Sequence, residues 1–127
     1  MSRPASPIDL EAYFARIGFA GRAAPDEATL RALHARHAEA IAFENLDAFL
    51  GEPVRLDAAS LQAKLVARRR GGWCFEHNLY FASILEAMGY RVRRLASRVR
   101  WNVPPGVVTA IAAMTGPTKP AQIAPWW

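Results

Sequence analysis

Residues 69–78 place two glycines shortly before the only cysteine of the chain, in the order Arg69-Arg70-Gly71-Gly72-Trp73-Cys74-Phe75-Glu76-His77-Asn78. Glycine lets the backbone turn sharply and approach a ligand closely. The apolar residues that follow predict a helix from about Cys74 to Met88. A helix N-terminus carries about half a positive charge, which favours thiolate over thiol, and Arg70 is close enough in sequence to add to that field. Because the thiolate is the nucleophilic form, the pattern favours a catalytic cysteine over a buried structural one.

A nucleophilic cysteine usually needs a general base, and the chain has three histidines. His77 lies one helical turn after Cys74, where the two side chains can touch, although the base of a triad normally comes from elsewhere in the fold. His34 and His37 are spaced to share one helix face, as metal ligands do, but no third ligand is evident. We therefore predict no metal site.

Three helices are predicted before the cysteine. The first spans residues 8–17 with Asp9 as its cap, the second opens at Pro25-Asp26-Glu27, and the third begins after Asp57 and ends at the double glycine. Apolar side chains at helical spacing give the expected inner faces. These are Leu10, Tyr13, Phe14 and Ile17 in the first helix, Leu30, Leu33, His37 and Ile41 in the second, and Leu56, Leu61 and Leu65 in the third.

The chain after the fourth helix has a different character. Residues 90–102 are rich in arginine and valine and are predicted to form a strand. Residues 110–127 contain no acid, one lysine and four glycines or prolines, so irregular chain is predicted there. A single strand cannot satisfy its own backbone groups. The sequence therefore reads as the front part of a larger α+β protein.

Composition bounds the possible partners. The 127 residues suffice for one domain, and their net charge of +5 comes mainly from eight arginines in residues 68–100. Such a segment can meet nucleic acid, a membrane surface or an anionic cofactor, but a solvated strand and helix end is the simpler explanation. No aromatic residues are interleaved for base stacking, and charges interrupt every apolar run before the ~18 residues that span a bilayer. We predict neither a nucleic-acid nor a membrane partner, and the single cysteine indicates a cytoplasmic location.

The run from Arg70 to Asn78 resembles the signature of the arylamine N-acetyltransferases. The likeness covers about residues 8–109, and the cysteine motif is highly specific. Three other stretches are similar to segments of that family: Tyr13-Phe14-Ala15-Arg16-Ile17-Gly18, Ile41-Ala42-Phe43-Glu44-Asn45-Leu46-Asp47 and Leu85-Glu86-Ala87-Met88-Gly89-Tyr90.

The resemblance implies a papain-like fold of the α+β class, in which a helical bundle carries the cysteine and a β-barrel carries a histidine and an aspartate. It divides the chain into a bundle over residues 1–90, the start of the barrel over 91–109 and an atypical tail over 110–127. It implies a ping-pong reaction in which Cys74 takes an acetyl group from acetyl-CoA and passes it to an arylamine or a hydrazine. By the same match, Arg70, Gly71, Glu76 and Asn78 support the site.

The sequence departs from the family pattern after Thr109. The family segment that brings in the catalytic histidine aligns with Thr109-Ala110-Ile111-Ala112-Ala113-Met114, where Ala113 stands in place of the histidine. No Asp or Glu follows Glu86, so the catalytic aspartate has no counterpart. We therefore expect an inactive or impaired chain, and a tail that is a frame-shifted or displaced translation of a longer gene. The nucleotide sequence beyond the codon for Thr109 tests the second expectation.

Two other functions remain open from the sequence. One is a non-enzymatic, truncated paralogue that has lost catalysis. The other is a different papain-like thiol enzyme, such as a protease or a transglutaminase, although the run from Arg70 to Asn78 discriminates against it. An incomplete barrel would leave a strand edge exposed, and such edges pair or aggregate. Self-association through that edge is therefore expected.

Overall fold

The computed structural model describes residues 6–98 and 110–113, and the side chains of residues 6–94. Helices dominate the first part of the chain and two short strands follow. The elements are α1 (Leu10–Ile17), α2 (Glu27–Ala40), α3 (Leu46–Phe49), α4 (Ala58–Leu61), a π-helical segment (Gln62–Ala67), α5 (Cys74–Ala87), β1 (Leu95–Arg98) and β2 (Ala110–Ala113).

Aspartate caps determine where three of the helices begin. Asp9, Asp26 and Asp57 each accept a hydrogen bond from the backbone N–H three residues further on, at 2.8–3.0 Å. Such a bond satisfies one of the donors that the first turn leaves unpaired. At the other end of α1, Gly18 adopts a φ of +69°, a conformation that stops the helix and that glycine reaches without strain. The predicted caps of the first three helices are thus confirmed, although the first helix begins at Leu10 rather than at residue 8.

The core forms where α1, α2, the π-helical segment and α5 meet. All four residues of the predicted inner face of α2 are buried, as are Tyr13, Ile17, Leu61 and Leu65. Leu10 and Phe14 are only partly buried. The prediction for Leu56 is wrong, because this residue lies before the Asp57 cap in irregular chain and is 39% exposed.

The third predicted helix differs from a regular α-helix. It is α-helical over Ala58–Leu61 and then widens into the π-helical segment. The N–H of Arg68 donates to the carbonyl of Ala63, five residues back, at 2.9 Å. This wider turn buries the consecutive residues Lys64, Leu65 and Val66, and it places a lysine in the interior. The short helix α3 was not predicted.

The two strands pair in an antiparallel register that runs from Leu95 opposite Ala113 to Arg98 opposite Ala110. The predicted strand therefore begins at residue 95 rather than 90, and its predicted residues 99–102 lie outside the described residues. Ala110–Ala113 form a strand where irregular chain was predicted, because β1 supplies partners for their backbone groups. The rest of the predicted tail, residues 114–127, and the residues from 99 to Thr109 also lie outside the described part. Within residues 6–98 and 110–113, no helix is long and apolar enough to cross a bilayer.

Candidate active site

Cys74 is the first residue of α5, and its side chain is half-buried with a free thiol. Two side chains from the same helix fix its surroundings. Glu76 Oε1 accepts the backbone N–H of Trp73 at 3.2 Å and so caps the helix, while Asn78 Nδ2 donates to the carbonyl oxygen of Cys74 at 2.8 Å. The first turn of α5 is therefore held by its own side chains, and the remaining N–H groups of that turn contribute positive potential at the thiol.

The double glycine joins this helix to the segment 42–44. Gly72 donates its N–H to the carbonyl of Ala42 at 3.1 Å, and its own carbonyl accepts the N–H of Glu44 at 2.8 Å. A Cβ at position 71 would collide with the carbonyl oxygen of Ala42, and one at position 72 would lie 2.9 Å from Cβ of Glu76. Position 71 therefore requires glycine because the two backbones approach too closely for a side chain, whereas a side chain at position 72 would collide with that of Glu76.

A partly buried group of charges supports the glycine turn from the side of α3. The ammonium of Lys64 lies 2.7 Å from a carboxylate oxygen of Asp47 and 2.7 Å from one of Glu76. The guanidinium of Arg70 lies 2.8 Å from Asp47 and 3.7 Å from Glu44. These five residues, which we call the charge cluster, border a cavity of about 460 Å³ through Asp47, Lys64, Arg70 and Glu76.

The mutual contacts of the charge cluster set its protonation. Hydrogen bonds from Lys64 and Arg70 lower the pKa of Asp47. Burial lowers the pKa of Lys64, but its hydrogen bonds to Asp47 and Glu76 outweigh that effect and raise the pKa above its usual value. Asp47 and Lys64 are therefore both charged at neutral pH. Because Arg70 forms ion pairs with carboxylates, it is not an isolated cation beside the thiol. It stabilises the segment that leads into the glycine turn.

Behind the turn, a chain of hydrogen bonds runs through the protein from α1 to the segment 42–44. The hydroxyl of Tyr13 lies 2.8 Å from Nδ1 of His37, Nε2 of His37 lies 2.9 Å from Nδ1 of His77, and Nε2 of His77 lies 2.9 Å from the carbonyl oxygen of Ala42. A carbonyl only accepts, so Nε2 of His77 carries a proton and, with both rings neutral, every other bond in the chain donates in the same direction. We call this series the histidine chain.

Burial keeps both histidines uncharged. It lowers the pKa of His37 well below its usual value, and the neighbouring His77, His34 and Arg16 lower it further. Burial also lowers the pKa of His77, although hydrogen bonds to backbone carbonyls partly oppose the effect. The two ring nitrogens of His77 are engaged with His37 and with backbone. The structure therefore gives His77 a role in the interior rather than as a base for Cys74.

The predicted site residues end up in two adjoining groups. Arg70 and Glu76 belong to the charge cluster, and Gly71 lies at the close approach to Ala42, while Asn78 contacts the backbone of Cys74 itself.

Sequence reasoning missed Lys64 and the pairing of His37 with His77. The only local signal for Lys64 is that it follows inward-facing Leu61 by three residues, which places it beside the inner face of a helix, and nothing in that spacing indicates an ion pair with Glu76. In the part of the chain that the structure describes, no three His, Cys, Asp or Glu side chains are grouped to hold a metal ion.

Comparison with known proteins connects this arrangement to one family. A family model described as N-acetyltransferase matches residues 26–114. The arylamine N-acetyltransferase of Mycolicibacterium smegmatis is 53% identical over 95 residues, which are 74% of this chain and 34% of that protein. The chain thus spans about a third of the length of this curated relative.

Solved structures agree with the sequence comparison. The arylamine N-acetyltransferase of Nocardia farcinica matches with a TM-score of 0.80 at 48% identity, over 89% of this chain and 43% of that one. The arylamine N-acetyltransferase of Mycobacterium marinum in complex with CoA matches with a TM-score of 0.78 at 45% identity, over 92% of this chain and 44% of that one. The fold described above is therefore that of a part of these structures.

Proposed function

The chain belongs to the arylamine N-acetyltransferase family, and on that premise we propose that it carries the nucleophile of an acetyl transfer, Cys74. The Cys74 thiolate attacks the thioester carbonyl of acetyl-CoA, the bond from that carbonyl to the CoA sulfur breaks, and CoA leaves as a thiolate that takes up a proton. The amine nitrogen of an arylamine or hydrazine then attacks the acetyl group on Cys74 and loses a proton. The Cys74 thiolate leaves and is ready for another cycle.

The position of Cys74 carries this proposal. A half-buried thiol at the first residue of a fourteen-residue helix lies in the field of the unpaired N–H groups of the first turn. The thiolate is the form of cysteine that attacks a carbonyl. The open side of the glycine turn offers a shallow cavity of about 380 Å³, bordered by Glu44, Asn45, Leu46, Arg70 and Gly71.

The other predicted site residues act in this proposal by supporting Cys74. Gly71 permits the close approach of the two backbones, and Glu76 caps the helix from which the thiol projects. Arg70 fixes the segment before the turn through Asp47, and Asn78 orients the carbonyl of Cys74. None of the four reacts with substrate in this scheme, so their loss should affect stability and the reactivity of Cys74 together.

We extend the family assignment to the domain organisation. Residues 1–90 form the helical bundle that carries the nucleophile, residues 91–109 begin a β-barrel, and residues 110–127 form an atypical tail whose first four residues pair with β1. Strand edges that no partner covers are prone to pairing, so the 127 residues should self-associate through the edges of β1 and β2. A cytoplasmic location suits the single cysteine, because a reducing compartment keeps the thiol free.

These 127 residues should transfer acetyl groups slowly by themselves. Their three histidines are His34, His37 and His77, and no acid follows Glu86, so the sequence offers no counterpart to the family's histidine and aspartate. Removing a member of a catalytic triad typically lowers the rate by several orders of magnitude. Cys74 remains at the start of α5, but within residues 6–98 and 110–113 no general base is oriented towards it.

Intact-protein mass spectrometry after incubation with acetyl-CoA tests the proposal, with Cys74→Ala as the matched control. We expect one acetyl group to add slowly to the wild-type chain and none to add to the variant. Addition of an arylamine should discharge the adduct at a low rate.

Parallel alkylation with iodoacetamide shows whether Cys74 is accessible. A folded chain in which iodoacetamide modifies Cys74 but acetyl-CoA never does would refute Cys74 as the nucleophile of this chain. Rapid turnover of an arylamine would instead refute the prediction that these 127 residues transfer acetyl groups slowly.

A further inference from the structure

The carbonyl oxygen of Ala42 receives two hydrogen bonds that come from opposite sides of Cys74. Gly72, two residues before the cysteine, donates its backbone N–H at 3.1 Å. His77, three residues after the cysteine, donates Nε2–H at 2.9 Å. The turn that leads into α5 and the first turn of α5 therefore meet at one acceptor.

His77 can hold that acceptor because its ring is fixed on three sides. Nδ1 accepts from Nε2 of His37, whose own Nδ1 accepts from Tyr13, so the ring is tied to α2 and through it to α1. One face of the ring stacks on Phe43, with 5.9 Å between ring centroids and 14° between planes. Only a side chain that donates from one atom and accepts at another can join α2 to the segment 42–44 in this way.

We propose that His77 is a positioning residue, which holds the carbonyl of Ala42 against Gly72 and thereby aligns the glycine turn that presents Cys74. It acts through the backbone and does not contact substrate. The inference rests on the proposed function for its consequence in catalysis, but the alignment itself is a property of the folded chain and can be measured without acetyl-CoA.

Hydrogen exchange tests the alignment directly in the full 127-residue chain. We call the two backbone hydrogen bonds from Gly72 to Ala42 and from Glu44 to Gly72 the bridge. His77→Leu removes both polar atoms of the ring, so the amides of Gly72 and Glu44, which form the bridge, should exchange about tenfold faster than in the wild type. His77→Gln keeps a donor for Ala42 and an acceptor for His37, so their exchange should stay within about twofold. The amides of Phe81 and Ile84 in the middle of α5 report global stability and provide the correction.

The reactivity of Cys74 gives the second readout. When the turn is misaligned, the thiol loses part of the field of the first helical turn, so the iodoacetamide rate at pH 7 should fall about two- to fivefold in His77→Leu. His77→Gln should restore it. Ile84→Val serves as the matched control, because it shortens a fully buried side chain of the same helix without touching the bridge. This control should leave the alkylation rate unchanged.

The outcomes separate this inference from the proposed function. Unchanged exchange of Gly72 and Glu44 in folded His77→Leu, or equal alkylation of the Leu and Gln variants, would overturn the positioning role. If His77→Leu does not fold, long-range ¹H–¹⁵N spectra of the wild-type chain show which ring nitrogen of His77 carries the proton. The positioning role requires the proton on Nε2. A proton on Nδ1 alone would refute that role. Failure of wild-type Cys74 to accept acetyl, with the bridge behaving as described, would refute the proposed function alone.

Discussion

At the scale of single residues, Gly71 has no room for a side chain. A Cβ at this position would meet the carbonyl oxygen of Ala42, which is backbone and is itself fixed by Gly72 and His77. We expect Gly71→Ala to lower the free energy of unfolding by about 1–3 kcal/mol, since the strain must displace one of the two backbones. Urea unfolding followed by circular dichroism measures the change.

Gly21→Ala is the matched control for that substitution. A Cβ there would meet only the outer ring atoms of Phe19, and a side chain can move aside where a backbone cannot. We expect a change of less than about 0.5 kcal/mol. Equal effects of the two substitutions would show that the close approach at Gly71 is unimportant for stability.

Lys64 and Glu76 form the most buried ion pair of the charge cluster. Lys64→Gln leaves the carboxylates of Asp47 and Glu76 with less compensation, while Glu76→Gln leaves Lys64 with Asp47 alone. Each change should destabilise the chain by about 2–4 kcal/mol. The double variant places two neutral amides in hydrogen-bonding distance. Its loss in the free energy of unfolding should therefore be smaller than the sum of the two single losses by about 1–3 kcal/mol.

Chemical unfolding of the four proteins completes this double-mutant cycle. Because a glutamine at position 76 can still accept the N–H of Trp73, the helix cap survives in every variant and the cycle isolates the ion pair. Additive losses, within about 0.5 kcal/mol, would mean that the two charges act independently.

At the scale of elements, the histidine chain joins α1, α2 and α5, and we expect the stability of their packing to depend on pH. The pKa of each of His37 and His77 is lower in the folded chain than the usual value of about 6.5, mainly because of burial. The unfolded chain therefore binds more protons just below that value. The free energy of unfolding should fall as pH decreases from 7.5 to 5.5, by at most about 1.4 kcal/mol per pH unit for each histidine.

Urea unfolding at a series of pH values tests this slope, and His37→Gln is the informative variant. Glutamine can accept from Tyr13 and donate to His77 but does not titrate, so the slope should be roughly halved. The capping carboxylates of Asp26 and Asp57 do not contribute to the slope in this window. Because the pKa values of Asp26 and Asp57 are lowered by hydrogen bonds from the residues they cap, their stabilisation is lost only in more acidic solution. A flat profile between pH 5.5 and 7.5 would contradict the buried, neutral state of the histidines.

The helices also show which parts of the structure local sequence patterns can predict. The caps Asp9, Asp26 and Asp57 and the inner face of α2 follow from rules that span a few residues, and these predictions were confirmed. The π-helical segment does not follow from such local rules. Its wider turn buries Lys64, and that burial depends on carboxylates from α3 and α5. Likewise, forty residues separate His37 from His77, and no local period records their contact.

At the scale of the whole molecule, the candidate site was predictable as a motif but not as an arrangement. The residues from Arg70 to Asn78 identified the cysteine and its helix from the sequence. Their supports come from elsewhere: Asp47 follows the segment 42–44, and His37 lies on α2. The tertiary contacts of a site depend on how distant segments dock, which local propensity does not determine.

Arg16 connects the distant segments that meet behind the site. Its guanidinium donates to the carbonyl oxygens of Ala40 at 2.7 Å, Leu65 at 2.8 Å and Arg69 at 3.4 Å. Arg69 has a φ of +52°, which is unusual for a residue other than glycine, and it directly precedes the motif. Arg16→Met would leave these three carbonyls without their donor. We expect a loss of about 2–3 kcal/mol in the free energy of unfolding, since an unsatisfied, partly buried acceptor retains its desolvation cost.

Arg31→Met gives the comparison that makes this prediction specific. Arg31 forms an ion pair with Glu27 at 2.7 Å, one turn away on the solvent side of α2, and both side chains are largely exposed. Solvent screens such pairs, so the loss should be below about 0.5 kcal/mol although the same atoms are removed. If the two variants unfold at the same urea concentration, the three carbonyl contacts do not stabilise the bundle. A large difference would mean that the docking of α1 against α2 and the π-helical segment depends on a partly buried arginine as well as on apolar packing.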